Sequence, residues 1–168
     1  LCAAIPKGAF KVADSQVASR WGNICEFQGF DLITPNEREA RFAMADQDSV
    51  VRPLARKLYE QSGAKNLILK LGPRGLIAYR ALEDCEDVRS FFAIDSFVEN
   101  LKDAVGAGDA LLSYASLAHV VGASEVCATV LGAMAAAVEC EYDHNIPVTP
   151  NDVLTKINKI ERYALYKE

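Results

Sequence analysis

The stretch best equipped for chemistry is Asp103-Ala104-Val105-Gly106-Ala107-Gly108-Asp109. Two glycines flank an alanine, and the long apolar run from Ala110 follows directly. A carboxylate, Asp109, stands where a helix should begin. Gly106 and Gly108 have no Cβ, so the backbone there can turn tightly and come close to a ligand. The first amides of a helix have no internal partners, and the dipole places roughly +0.5 charge at that end. Such an end binds anions, phosphate above all. An acid beside it is useful where a base is needed next to a phosphoryl group. The same residues also make an ordinary capped turn, so the rest of the chain has to decide.

Two further motifs share that character: Thr34-Pro35-Asn36-Glu37-Arg38-Glu39 and Lys70-Leu71-Gly72-Pro73-Arg74-Gly75. The elements around them can be read from pattern. Strands are expected at 11–14, at 30–34 with Pro35 ending it, and at 66–71 as a nearly continuous apolar run of the doubly buried kind. A helix over 37–44 has Ala40, Ala43 and Met44 on one side. A second, capped by Ser49 and ended by Gly63, carries Leu54, Leu58 and Tyr59 inward. Residues 72–75 form a tight turn into a return strand at 76–79. The acidic stretch 81–88 reads as a solvated loop, with short strands at 90–94 and 97–101. Helices follow over 106–120 and 124–139, split at Gly122. A turn-rich connector leads to a last amphipathic helix, capped by Asn151, with Val153, Leu154, Ile157 and Ile160 inward. Alternating strands and helices indicate an α/β layer structure. In open sheets of that class ligands sit beyond the carboxyl ends of the strands, where all three motifs fall. No repeat or linker divides the chain.

Composition bounds the reading. With 168 residues, half of them apolar, the chain can build one ordinary core. A net charge of -5 argues against a nucleic-acid surface or an anionic membrane as partner. The five cysteines (Cys2, Cys25, Cys85, Cys127, Cys140) are odd in number and scattered. They suit reduced thiols in a cytoplasm better than disulfides or zinc. His119 and His144 lack metal-ligand spacing. Leu1 to Lys7 does not read as a signal peptide, and a start on Leu rather than Met leaves room for sequence upstream.

The order and content of the three motifs resemble the C-terminal half of the ribokinase-like, PfkB-type carbohydrate kinases, over roughly residues 12–150. The resemblance implies a three-layer αβα sandwich around a mostly parallel sheet. Residues 1–168 would be the C-terminal portion of one kinase domain, without the half that bears the lid and most sugar contacts. It implies ATP-dependent phosphorylation of a sugar or sugar-phosphate hydroxyl. Asp109 matches the base, and Gly106, Ala107 and Gly108 match the anion hole. Glu39 matches the acid that orients Mg2+ through water, with Asn36 as its phosphate-side companion. Lys70, Gly72 and Gly75 match the nucleotide loop, and Asp103 and Val105 a possible monovalent-cation (K+) site. There are departures. Lys70 and Ala104 replace family threonines, and Glu139 and His144 stand where the family has a small residue and a glycine near the nucleotide. The wording of residues 29–36 is similar to that of bacterial heptose-phosphate kinases. A homo-oligomer, or pairing with the missing N-terminal half, is expected, with no nucleic-acid or membrane partner. Two alternatives compete. One is a non-catalytic nucleotide-binding half acting as an interaction module. The other is a methyltransferase, whose glycine loop wants a third glycine where this chain has Ala110; a dinucleotide fold fails on the same residue.

Overall fold

The computed structural model describes residues 4–14, 24–80, 90–143 and 146–165. Cys2, the acidic stretch 81–88 with Cys85, and His144 lie outside the described residues. The chain divides into two compact units, Leu1–Leu71 with Ile77–Ala93, and Gly72–Leu76 with Ile94–Glu168.

The first unit holds all but the Leu76 and Ile94 ends of a sheet of β1 (Val12–Ala13), β2 (Leu32–Ile33), β3 (Asn66–Lys70), β4 (Leu76–Arg80) and β5 (Phe91–Ile94), in that order across the sheet. The first three are parallel, with Val12 opposite Leu32 and Ile33 opposite Leu67. β3 and β4 are neighbours joined by a 3-10 turn at Gly72–Arg74. That link is too short for a parallel crossover, so β4 returns antiparallel as the sequence implies. Leu32, Ile33, Leu67, Ile68 and Leu69 are all buried, so the central strands are covered on both faces. Among the described strands, β1 forms one edge.

Two helices cover one face. α1 (Glu37–Met44) and α2 (Val51–Ser62) place Ala40, Met44, Leu54, Ala55 and Leu58 in a cluster with Ile33, Leu67 and Leu69. Ser49 is not the cap of α2. Val50 holds that position with no side-chain bond, while the Ser49 amide and hydroxyl both donate to Asp46. Asp46 won that hydroxyl because a local turn offered it a carboxylate three residues back.

The second unit is helical. α3 (Ala107–Val120) and α4 (Glu125–Cys140), joined by four residues, pack as a helical hairpin. The approach is close, since a Cβ on Gly132 would come within 2.8 Å of the Leu111 carbonyl oxygen and 3.1 Å of Ala115 Cβ. Met134 and Ala135 of α4 cluster with Val153 of α5 (Pro150–Leu165), and Phe97 packs there too. Residues 97–101 form no strand. The Lys102 and Asp103 amides instead donate to the Cys140 carbonyl, which ties this segment to the end of α4. Thr149 rather than Asn151 starts α5, exchanging hydrogen bonds with Asp152. Leu154 is 54 % exposed, contrary to its expected inward place. Lys156 lies inward instead, its stem buried and its ammonium 2.6 Å from Glu141. No helix among the described residues is long and apolar enough to cross a membrane.

Candidate active site

In the first unit the carboxyl ends of β1, β2 and β3 carry a group of polar side chains. Asn36 follows β2 and is the N-cap of α1. Its Oδ1 accepts from the Glu39 amide at 2.9 Å, and its own amide donates to Glu39 Oε2 at 2.7 Å. This reciprocal capping box satisfies two helix-end donors. Glu39 is therefore no solvated helix residue; it is only 5 % exposed. Burial pushes its carboxyl above the usual carboxylate range, against the opposing pull of the Asn36 amide and the Lys70 ammonium. Lys70 ends β3, where its amide donates to the Pro35 carbonyl and its backbone bridges to Asn36. Its ammonium reaches Asp14, just past β1, at 2.7 Å. Thr34, just past β2, has a buried hydroxyl without a partner among the described residues. Asn36, Glu39 and Lys70 are thus brought together, and the structure adds Asp14. The signal for Asp14 was a short strand ending in an acid.

In the second unit Gly72 opens the 3-10 turn and Gly75 follows it, with the Gly75 amide donating to the Gly72 carbonyl at 3.0 Å. Gly75 is fixed by packing. At φ +83° its Cβ would lie 2.0 Å from the Ile94 carbonyl oxygen. Among the described residues nothing would meet a Cβ on Gly72. Asp103 closes a small turn of its own, its Oδ1 accepting from the Val105 amide at 3.0 Å, and Val105 is 61 % exposed.

Gly106 is the N-cap of α3 in the left-handed region, φ 87°, with no side chain to cap the helix. The Ala110 amide makes the first helical bond, to the Gly106 carbonyl, and the Ala107 amide reaches only Ala104 at 3.4 Å. The amides of Gly108 and Asp109 therefore have no partner inside the helix. Asp109, the third helical residue, is exposed. This is a helix end able to receive an anion, with a carboxylate beside it. The sequence also pointed to Glu139, in the last turn of α4. It is 3 % exposed, and its Oε1 has no hydrogen-bond partner among the described residues. Burial, then the charges of Asp103 and Asp109, push its carboxyl up. No three acidic, histidine or cysteine side chains among the described residues are grouped to hold a metal directly. Magnesium held through water by one carboxylate needs no such group, because the ion keeps several waters.

Residues 2–149 match the family described as pfkB family carbohydrate kinase. The chain belongs to this family. It is 32 % identical over 117 residues to the bifunctional protein HldE of Desulfatibacillum aliphaticivorans, a match covering 67 % of this chain and 22 % of that protein. Phosphofructokinase-2 from Escherichia coli, solved in complex with potassium, superposes with a TM-score of 0.73 at 19 % identity, over 90 % of this chain and 47 % of its own. Ribokinase from Thermotoga maritima does so with a TM-score of 0.66 at 25 % identity, over 79 % and 43 %. The fold is the ribokinase-like α/β fold, a mixed, mostly parallel sheet flanked by helices. The chain spans less than half the length of the solved kinases it matches. Family membership removes the methyltransferase and dinucleotide readings.

Proposed function

We propose that this chain carries the phosphate-side machinery of a cytoplasmic, ATP-dependent kinase acting on a hydroxyl of a sugar or sugar phosphate. The observation that carries the reading is the start of α3, where Gly106 leaves the helix uncapped and Asp109 stands exposed at its third position. Phosphoryl transfer asks for positioning and electrostatics more than for covalent work by the protein. The Gly106, Ala107 and Gly108 backbone would stabilise charge on the moving phosphoryl group, and Asp109 would take the hydroxyl proton. In the first unit, Asn36 and Lys70 would address the nucleotide's phosphates, and in the second Gly72 and Gly75 its loop. Magnesium, when bound, neutralises phosphate oxygens. Glu39 would hold it through water, since its carboxylate already sits fixed by the Asn36 amide. Asp103 and Val105 are the residues that would hold a monovalent cation, and a potassium complex of phosphofructokinase-2 motivates that assignment.

The sugar pocket and lid are proposed to come from the family's N-terminal half, which would also pair with the β1 edge. An uncovered strand edge is a liability that proteins normally shield. A homo-oligomer is the other way to cover it, and a tetrameric form of phosphofructokinase-2 is among the structural neighbours. Without that half a hydroxyl cannot be held in line, and positioning can be worth roughly 7–11 kcal/mol of barrier. The test is to purify residues 1–168 and measure nucleotide binding and sugar-dependent ADP release over a panel of sugars and sugar phosphates. Binding without turnover is expected, with turnover restored by adding a family N-terminal half. Turnover on the order of 1 s⁻¹ by the chain alone would overturn the account of a missing half. Binding with no turnover even after that addition would favour the non-catalytic module.

A further inference from the structure

The Lys70–Asp14 ion pair lies at a place where few structural reasons call for one. β1 and β3 are not neighbours, because β2 runs between them. The pair therefore straps the carboxyl end of the sheet across the end of β2, beside Asn36 and Glu39. Ligands of open α/β sheets sit beyond that end. Lys70 is anchored at its backbone by the Pro35 carbonyl and the bridge to Asn36. Its stem is mostly covered, and side-chain exposure is 19 % for Lys70 and 23 % for Asp14. An ammonium has three donors, and Asp14 Oδ2 takes one at 2.7 Å.

We propose that Asp14 is a positioning residue for phosphate, fixing the Lys70 ammonium over the ends of the three parallel strands so that its remaining donors meet the phosphate chain of a nucleotide. A free lysine is a mobile point charge on a flexible stem, and holding it costs rotamer entropy each time a ligand arrives. A carboxylate that orients it in advance removes that cost from binding, as preorganisation does generally. Asp14 does not touch the ligand; it acts through Lys70. The proposal rests on the nucleotide-binding reading above and adds a residue to it.

The alternative is that Asp14 competes with phosphate for the ammonium, in which case its removal tightens binding. Calorimetric titration of residues 1–168 with adenosine, ADP and ATP separates the two. Asp14→Asn is expected to weaken ADP and ATP by roughly tenfold, the scale of one charge-assisted hydrogen bond, with adenosine unchanged. Lys70→Met should give a similar loss, and the double variant should be little worse than Lys70→Met alone, because the two act as a unit. Circular dichroism melting checks that each variant is folded. A measurement needing no substitution is the side-chain nitrogen resonance of Lys70 in the unaltered chain, which ADP should perturb and adenosine should not. Unchanged or tightened ADP binding in Asp14→Asn overturns the proposal, as does an unmoved Lys70 resonance. If the chain binds adenosine and ADP equally, the phosphate role falls while nucleotide binding stands. If it binds neither, both readings fall.

Discussion

α1 and α3 each begin with an acid at the third helical position, Glu39 after Asn36 and Asp109 after Gly106. The two acids have opposite fates. At α1 the cap residue has a side chain that takes the Glu39 amide, and Glu39 turns back to the Asn36 amide and is buried. At α3 the cap residue, in the left-handed region, has no side chain and so makes no side-chain capping bond. Asp109 is left exposed, and the helix end keeps its open amides. One residue, asparagine or glycine at the cap, decides whether the helix end is closed on itself or available to a ligand.

The strongest attack on this contrast is Asp109→Asn in the chain supplied with a family N-terminal half. Turnover should fall by about 10²-fold or more, with nucleotide affinity little changed. Near-normal turnover would make Asp109 an ordinary first-turn acid. Next is Gly106→Ala. A Cβ in the left-handed region costs about 1 kcal/mol, which lowers the melting temperature by roughly 2–4 °C, and the strain disturbs the backbone that presents the first amides. Nucleotide binding that survives unaltered would show that these amides meet no phosphate. Glu39→Gln sharpens the other side. The amide oxygen can still accept from Asn36, so the melting temperature should barely move. The magnesium needed for half-maximal rate should rise, because a hard cation loses a charged partner. An unchanged magnesium titration would reduce Glu39 to its capping role. The smallest effect is expected at Glu139. Its carboxyl is held up by burial and by Asp103 and Asp109, so the folded state binds more protons than the unfolded one. Stability therefore falls as pH rises from the ordinary carboxylate range to the folded value. Glu139→Gln should melt higher than the parent at neutral pH, with the gap closing in acid. Parallel melting curves across that range would remove the charge strain assigned to Glu139.

The elements were legible wherever period and punctuation agreed. α1 begins and ends as the sequence reading placed it, because Pro35 and Asn36 mark its start. β3 and its return strand followed from an apolar run broken by Gly72 and Gly75. The misses came from tertiary contacts that a local pattern does not carry. Residues 97–101 look like a strand in composition, yet the Cys140 carbonyl claims the amides just after them and Phe97 packs on α4. Lys156 turned inward because Glu141 waits there, fifteen residues away in sequence. Among the candidate residues, types and order could be read, but not burial. Taken alone, Glu39 read more readily as a solvated helix residue than as a buried one, and nothing signalled that Lys70 would find Asp14, 56 residues earlier.

The register of the sheet also sets a timetable. Val12 meets Leu32 and Leu32 meets Asn66, pairings that bring together distant parts of the chain. Such loops must close before any ladder bond rewards them. The α3–α4 hairpin closes over only four linking residues. In pulse-labelled hydrogen exchange during refolding, the amides of Leu111 to Ala118 and Thr129 to Val138 should gain protection first. Those of Leu32 and Leu67 should follow later, so that the half of the molecule with the open helix end takes shape while the strand ends are still apart.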